Sequence, residues 1–247
     1  MSKLIIGNWK MNLSISQSFN FIKKINKNNQ QVAIAAPFTF LADMKKKAQA
    51  KGIKLSAQDV APYEQGAYTG EVSAKMLKEV GCSFCLVGHS ERRIYFNEND
   101  NLINQKIIQL EEYKIQPVLC VGENQTERQK GITKQVIKKQ LKIGLSGIKS
   151  PERLIIAYEP VWAISTFQKG KIKKSAELID IIEVHLYIKK TIKQSFGSRA
   201  KRIKVIYGGS VKPDNSKEIL SLVEVDGALP GGASLKTSSF NAIIQAI

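Results

Sequence analysis

A carboxylate that could act as a general base, Glu159, stands directly after a short apolar run rich in β-branched residues, 154–158. Such a run predicts a buried strand. Pro160 follows at once, and because proline has no N–H it ends the strand. The next residues, VWAI at 161–164, are too apolar for an ordinary solvated loop. We therefore expect this segment to close over a site, although Glu159 could also simply cap a neighbouring element.

Other polar side chains also stand where apolar runs end. They are Asn8 and Lys10 after the first run, and His89, Ser90 and Glu91 after the fourth. Alone, each has an ordinary explanation: a surface lysine, a core histidine, a capping serine or an ion-paired glutamate. Together, a carboxylate base, a neutral donor and a cation suit removal of a proton beside a carbonyl. Lys10 can supply the positive charge, so the chemistry requires no metal and no cofactor.

Glycine-rich segments follow the last two apolar runs, GGS at 208–210 and GGAS at 231–234. Glycine lets backbone N–H groups approach phosphate oxygens closely, and a helix start favours the anion. The chain carries no Walker A lysine motif here, which does not favour a nucleoside triphosphate as the ligand of these loops. The predicted ligand is a small phosphorylated molecule, and a pair of tight turns is the alternative.

The elements that must position these residues are eight β-type runs alternating with amphipathic stretches. This alternation predicts a parallel sheet covered by helices, and eight such units in about 250 residues predict a closed (β/α)8 barrel over a single domain, 1–247. A doubly wound sheet is the alternative, but no GxGxxG follows the first run. Strands are expected at 4–6, 32–36, 53–57, 84–87, 117–121, 154–158, 203–207 and 226–229, and the clearest helices at 17–27, 102–112, 133–143 and 176–195.

The chain is strongly basic, with 38 Lys and Arg against 21 Asp and Glu and a formal net charge of +17. Its lysines are spread over helix-like segments without interleaved aromatic residues. We therefore expect no nucleic-acid partner, although the charge can attract a small anionic substrate. His185, in a helical stretch away from the strand ends, is interpreted as a surface residue.

Cys82 and Cys85 form a lone CxxC. No second cysteine pair stands at zinc-ligand spacing, and the run 84–87 predicts a buried strand, so both cysteines are interpreted as structural. The amino-terminal apolar run is too short for a signal peptide, and no run approaches about 18 apolar residues. We expect a cytoplasmic protein with no membrane partner.

Motifs from the first predicted strand to the last resemble those of triosephosphate isomerases, so the resemblance covers essentially the whole chain. GHSERR and YEPVWAI together are highly specific. The motifs are GNWKMN at 7–12, GAYTGE at 66–71, GHSERR at 88–93, CVGE at 120–123, YEPVWAI at 158–164, YGGSV at 207–211 and GGASL at 231–235.

The resemblance implies a homodimer that interconverts dihydroxyacetone phosphate and D-glyceraldehyde 3-phosphate through an enediolate, in glycolysis and gluconeogenesis. It implies that Glu159 is the base, that His89 is a neutral imidazole that polarises the carbonyl, and that Lys10 and Asn8 bind the substrate and the enediolate. The other implied residues are Glu91 and Ser90 beside the catalytic groups, Ser165, Ser210, Gly231 and Gly232 at the phosphate, and Thr69 on a loop that enters the partner's site.

The lid after Glu159 departs from the family pattern. The family usually has GTGK after the motif AI, whereas this chain has STFQ at 165–168 and a longer, basic segment at 169–174. We expect a lid that is looser than usual. Two other readings stay open: a barrel aldolase that uses Lys10 to form a Schiff base, and a basic protein with weakened activity that binds phosphorylated ligands or nucleic acid.

Overall fold

The computed structural model describes residues 2–164, 167 and 175–247. Its eight parallel strands pair in chain order, and the barrel closes through β1 and β8, where Leu4 lies opposite Gly227. The predicted (β/α)8 barrel is confirmed, and closure excludes the doubly wound sheet. The strands are β1 Leu4–Asn8, β2 Gln31–Ala35, β3 Lys54–Ala57, β4 Cys82–Val87, β5 Gln116–Val121, β6 Ile155–Tyr158, β7 Lys204–Tyr207 and β8 Gly227–Ala228.

Helices follow the strands, and local capping sets where several of them begin. The Ser14 side chain accepts a hydrogen bond from the backbone N–H of Gln17, and the Gln17 side chain accepts one from the backbone N–H of Ser14. This capping box starts the first helix at Ile15 rather than at the predicted residue 17. The described helices are α1 Ile15–Lys24, α2 Phe38–Ala50, α3 Ala74–Glu79, α4 Ser90–Tyr95, α5 Asp100–Glu112, α6 Gln125–Gln129, α7 Thr133–Gly144, α8 Leu178–Phe196, α9 Ser216–Ser221 and α10 Thr237–Ile244. Within the described ranges, no helix is both long enough and apolar enough to cross a membrane.

The barrel has two apolar layers because successive strand residues point to opposite faces. Ile6, Ala157 and Ile206 belong to the layer that fills the barrel interior. Their neighbours Tyr158 and Tyr207 belong to the layer between the strands and the helices. Both faces of each strand are therefore buried, which explains why the strands read as nearly continuous apolar runs rather than alternating ones.

One lysine of α5 lies in the interior rather than on a solvated face. Lys106 is 2% exposed, and its ammonium forms ion pairs with Asp59, at 2.6 Å, and with Glu98. Arg92 of α4 contacts the same two carboxylates, at 2.9 Å and 2.6 Å. Burial raises the pKa of Asp59, and Lys106 opposes that shift. This cluster of four charged side chains links α4, which His89 caps, to α5.

His185 is fully buried, so its interpretation as a surface residue is wrong. It lies on the inner face of α8, with its ring centroid 6.0 Å from that of Tyr158 and 6.4 Å from that of Tyr207. Its Nδ1 lies 3.2 Å from the backbone oxygen of Glu224 and donates to it. The long amphipathic pattern of α8 did not indicate that a polar residue occupies its buried stripe.

Burial lowers the pKa of His185 from 6.5 to about 4, with a smaller opposing effect from the Glu224 hydrogen bond. Between these two values the unfolded chain binds more protons than the folded one, so stability falls as the pH falls. From pH 7.5 to pH 5 the loss due to this residue is about 2 kcal/mol. Urea unfolding of the parent and of His185→Gln at both pH values checks this, because the variant should lose less stability by that amount. Equal losses in the two proteins would contradict the expectation.

Candidate active site

A cleft of about 720 Å³ opens at the carboxyl ends of the strands. Because parallel strands end at the same rim, residues far apart in the chain meet there. The structure brings to its wall seven of the residues that the sequence assigned to catalysis or phosphate binding. Ile164, from the segment expected to close over the site, lines it as well, and Leu229 adds an apolar contact that sequence reasoning did not assign. The seven are Asn8, Lys10, His89, Glu159, Ser210, Gly231 and Gly232.

Glu159 lies at the floor of this cleft, directly after β6. It is 2% exposed, and its backbone N–H donates to the oxygen of Val121 at 2.7 Å, which extends the barrel pairing by one residue. Its Oε2 accepts the N–H of Ser90 at 3.1 Å, and its Oε1 lies 3.4 Å from Nε2 of His89. The carboxylate is thus withdrawn from bulk water and held against the start of α4.

Two glycines leave the space that Glu159 occupies. A Cβ at Gly208 would lie 2.7 Å from Cγ of Glu159, and a Cβ at Gly122 would lie 1.9 Å from its backbone oxygen. The sequence suggested a phosphate-binding role for the glycines after β7. The structure gives Gly208 a further role: the absence of a Cβ at this position leaves room for the side chain of Glu159.

Gly208→Ala should therefore displace Glu159 and lower kcat by at least about tenfold, since misplacing a reacting group by about 1 Å can cost up to a hundredfold. Gly144→Ala is the matched control, because a Cβ there meets only Leu119, at an ordinary 3.5 Å. Steady-state kinetics of the two variants check the prediction. A Gly208→Ala enzyme as active as the control would show that the contact with Glu159 does not matter.

His89 caps α4 and presents one nitrogen to the cleft. It is 7% exposed, and its Nδ1 accepts the N–H of Glu91 at 3.2 Å. An imidazole that accepts at Nδ1 carries its proton on Nε2, the nitrogen that faces Glu159. His89 is therefore arranged as a neutral hydrogen-bond donor.

Lys10 follows β1 in a left-handed conformation, with φ of 52°, which is uncommon outside glycine. Its own N–H donates to Oδ1 of Asn8 at 2.9 Å, and Gln58 donates to its carbonyl at 2.8 Å. Its Nζ lies 2.6 Å from Oε1 of Glu91, whose other oxygen lies 3.9 Å from Nδ1 of His89. Glu91 thus lies between the cation and the imidazole.

The glycine-rich loops after β7 and β8 form the part of the cleft wall between Glu159, which contacts Gly208, and Lys10, which contacts Gly231. A turn of 3-10 helix, Gly232–Leu235, begins there, and the first N–H groups of a helix have no intrahelical acceptor. Ser234 donates to the backbone oxygens of Asn8 and Gly231, at 3.2 Å and 2.7 Å, which ties this loop to β1. The backbone oxygen of Ser210 accepts from Asn215 at 2.9 Å.

The segment after Glu159 is anchored by Glu123, a residue to which the sequence assigned no role. Glu123 is fully buried after β5 and accepts from Nε1 of Trp162 at 2.7 Å and from the hydroxyl of Tyr158 at 3.3 Å. Its backbone oxygen accepts the N–H of Val161 at 3.0 Å. Burial raises the pKa of Glu123, and the bond from Trp162 opposes that shift.

The phosphate contact assigned to Ser165, and the basic segment 169–174, lie outside the described residues. Phe167 is described: its N–H donates to the oxygen of Ile164 at 3.0 Å, and its ring lies 6.0 Å from that of Tyr95 at the end of α4. Thr69 is exposed between β3 and α3 and does not line the cleft of its own chain.

The cysteines have the burial expected of structural residues. Cys82 and Cys85 lie in β4 with free thiols, and burial raises the pKa of Cys82 to about 12. Cys120 lies in the barrel interior, where burial and then the Glu159 carboxylate raise its pKa well above the usual value. These thiols stay protonated and are poor nucleophiles.

Comparisons with known proteins all point to one family. A family model described as triosephosphate isomerase matches residues 3–247. A triosephosphate isomerase of Alkaliphilus metalliredigens is 44% identical over 249 residues, with 98% of each chain covered. That of Fusobacterium nucleatum subsp. nucleatum is 43% identical over 255 residues, with 100% of this chain and 99% of the relative covered. A crystal structure of triosephosphate isomerase from Bartonella henselae matches with a TM-score of 0.89 and 34% identity, over 100% of this chain and 99% of that one.

Proposed function

The chain belongs to the triosephosphate isomerase family, and from this we propose how its residues interconvert dihydroxyacetone phosphate and D-glyceraldehyde 3-phosphate. One observation carries the proposal: a buried carboxylate, Glu159, faces the protonated nitrogen of His89 across 3.4 Å at the floor of the cleft. Substrate would separate these two groups, with its carbonyl oxygen at the donor and the carbon next to the carbonyl at the base.

In this proposal Glu159 removes a proton from the carbon beside the substrate carbonyl and returns it to the former carbonyl carbon, while the former carbonyl oxygen gains a proton from Nε2 of His89 and the neighbouring hydroxyl returns one to that nitrogen. In the substrate-free protein the carboxylate accepts a hydrogen bond from the Ser90 N–H. We propose that it leaves Ser90 and turns toward the substrate when the cleft fills. The space beside Gly208 allows this turn, because the stem of Glu159 meets no Cβ there.

His89 and Lys10 stabilise the enediolate that forms. His89 donates from Nε2 to the oxygen on which negative charge develops, while the Lys10 ammonium adds a positive charge on the same side of the cleft. Such preorganised donors act best where water is excluded. Asn8 fixes the backbone of Lys10, and Glu91 holds its side chain until the substrate competes for it.

We propose that the phosphate of the substrate lies against the loops after β7 and β8. Ser210, Gly231 and Gly232 all line the cleft, and Gly231 lies beside Lys10, with which a Cβ at this position would be in contact. Holding the phosphate there directs the two reacting carbons toward Glu159. Ser165 is proposed as a further phosphate contact from the lid.

The aldolase reading is disfavoured by the surroundings of Lys10. A Schiff-base lysine must attack as the neutral amine, whereas Nζ of Lys10 forms a 2.6 Å ion pair with Glu91. A coupled assay that follows D-glyceraldehyde 3-phosphate formation from dihydroxyacetone phosphate tests the proposal. Isomerisation with no imine trapped by borohydride is the expected result. Trapping on Lys10, or binding without turnover, would replace the proposal by one of the other readings.

We also propose that two copies of the chain form a symmetric dimer through the face around Lys10 and the loop 66–71. In the single chain, large apolar side chains of this face are exposed to water, which is unfavourable, and a partner would cover them. They are Met11, 94% exposed, Tyr95, 60% exposed, and Phe96, 63% exposed. Tyr68, beside Thr69, stacks on Tyr63 with ring centroids 3.8 Å apart, which stiffens the loop that would enter the partner.

Thr69→Arg should weaken this dimer by at least about a hundredfold, because it places an unpaired charge in an interface that excludes water. Sedimentation equilibrium of the parent and the variant measures the effect. Ser221→Arg, an exposed change at the end of α9, is the control. A parent that sediments as a monomer, or a variant that dimerises like the control, would contradict the proposed interface.

We propose a cytoplasmic location, because both triose phosphates are charged and stay in the compartment where they are made. The reaction is a step of glycolysis and gluconeogenesis. Fractionation of cells with an antibody against the chain tests the location, and recovery outside the cytoplasmic fraction would contradict it.

A further inference from the structure

A second cleft, of about 1110 Å³, lies at the end of the barrel opposite the active site. Lys3 precedes β1, Lys204 begins β7 and Asp226 precedes β8, so the amino ends of three adjacent strands form one side of it. The end of α8 and the following 3-10 turn, Gly197–Arg202, form the other side. It shares no lining residue with the active-site cleft.

The cleft has a large excess of positive charge. Asp226 is the one carboxylate among its lining residues, and it is already engaged by the N–H of Val205 at 2.7 Å and by Lys189 at 3.0 Å. The lining cations are Lys3, Lys189, Lys193, Lys201, Arg202 and Lys204. Five of these six cations therefore have no carboxylate of their own within the cleft.

Two of the cations are partly buried in the depth of the cleft. Lys3 donates to the backbone oxygens of Leu222, at 3.0 Å, and Val225, and Lys204 donates to Oε1 of Gln31 at 2.9 Å. Burial lowers the pKa of both Lys3 and Lys204, which shows that each ammonium loses hydration there. An anion in the cleft would offset this loss.

The cleft is also lined by exposed cations and by apolar residues. Lys193, Lys201 and Arg202 are exposed, and their side chains form no hydrogen bond or ion pair with any other residue that the structure describes. Four apolar residues also line the cleft, and one of them, Val223, is 82% exposed. The others are Ile192, Ala200 and Ile203.

We propose that this cleft binds an organic polyphosphate of the nucleotide class. The phosphates would contact Lys193, Lys201 and Arg202, where flexible donors meet several oxygens at once, and the apolar part would cover Val223. A nucleic acid is the weaker alternative, because none of the described lining residues of this cleft is an aromatic on which bases could stack. This site is independent of the isomerase chemistry.

Equilibrium dialysis with ATP, in the absence of divalent metal and with the triose phosphates saturating the active site, tests the proposal. One ATP per chain is expected. Lys193→Glu/Lys201→Glu should weaken binding at least tenfold. Lys138→Glu/Lys139→Glu is the matched control: it changes the net charge equally at two exposed lysines of α7 that do not line the cleft, and it should stay within twofold of the parent. Unchanged isomerase activity in both variants shows that they are folded.

Inorganic tripolyphosphate supplies the charge without the apolar part and should bind more weakly than ATP. The proposal is overturned if ATP does not bind the parent, if both double variants lose binding equally, or if tripolyphosphate binds as tightly as ATP. Binding of an oligonucleotide in the absence of any ATP binding would overturn it in favour of the nucleic-acid alternative.

Discussion

Glu159→Gln is expected to lower kcat by at least about a hundredfold while the affinity for substrate stays near that of the parent. The amide keeps the size of the side chain but cannot take a proton, and a general base contributes on the order of 10²–10⁴-fold. The loops proposed to bind the phosphate are unchanged, so KM should change little. Steady-state kinetics in both reaction directions measure the effect.

The control for this change is Glu218→Gln, the same isosteric substitution at an exposed residue of α9. It should leave kcat at the parent value. Retention of more than a tenth of the parent kcat by purified Glu159→Gln would remove Glu159 from the role of base, and a large rise in KM would show that it acts mainly in binding.

Lys106→Met is expected to lower the free energy of unfolding by about 3–5 kcal/mol, the usual cost of removing one partner from a buried ion pair. The change leaves Asp59 and Glu98 buried with only Arg92 to neutralise both. Methionine fills a similar volume, so the loss is electrostatic rather than a cavity effect. Urea unfolding at a fixed protein concentration measures it.

Lys142→Met, at an exposed position of α7, is the matched control and should change stability by less than about 0.5 kcal/mol. Because Arg92 belongs to the helix that His89 caps, we also expect Lys106→Met to lower kcat. If Lys106→Met unfolds at the same urea concentration as the control, the buried charge cluster does not hold α4 in place.

The barrel and the position of its site could be predicted from the sequence because each strand is nearly continuous in apolar residues. An apolar run such as 154–158 is followed directly by a polar residue. Because parallel strands all end at the same rim of the barrel, this pattern is enough to place Glu159 and His89 at the same end of the sheet. Strand limits shifted by one or two residues: β4 begins at Cys82 rather than at residue 84. Pairing with the neighbouring strands decides these limits, and periodicity cannot show it.

The contacts between distant side chains could not be predicted. Lys106 and His185 stand in helical patterns where a polar residue usually faces water, yet tertiary partners bury both. The approach of Gly208 to Glu159 depends on the register of β6 against β7, which the sequence alone does not give. The role of Glu123 likewise depends on its hydrogen bond with Trp162, a residue 39 positions away in the chain.

The most direct test of the proposed chemistry is isomerisation of dihydroxyacetone phosphate in D₂O, with the product trapped as it forms. A carboxylate that has taken a proton exchanges it with solvent, so the account predicts D-glyceraldehyde 3-phosphate that carries deuterium at C2. The parent enzyme should give this product, and Glu159→Gln should give it at least about a hundredfold more slowly. Product that holds only protium at C2 would contradict a base that exchanges its proton with solvent before it returns a proton to C2.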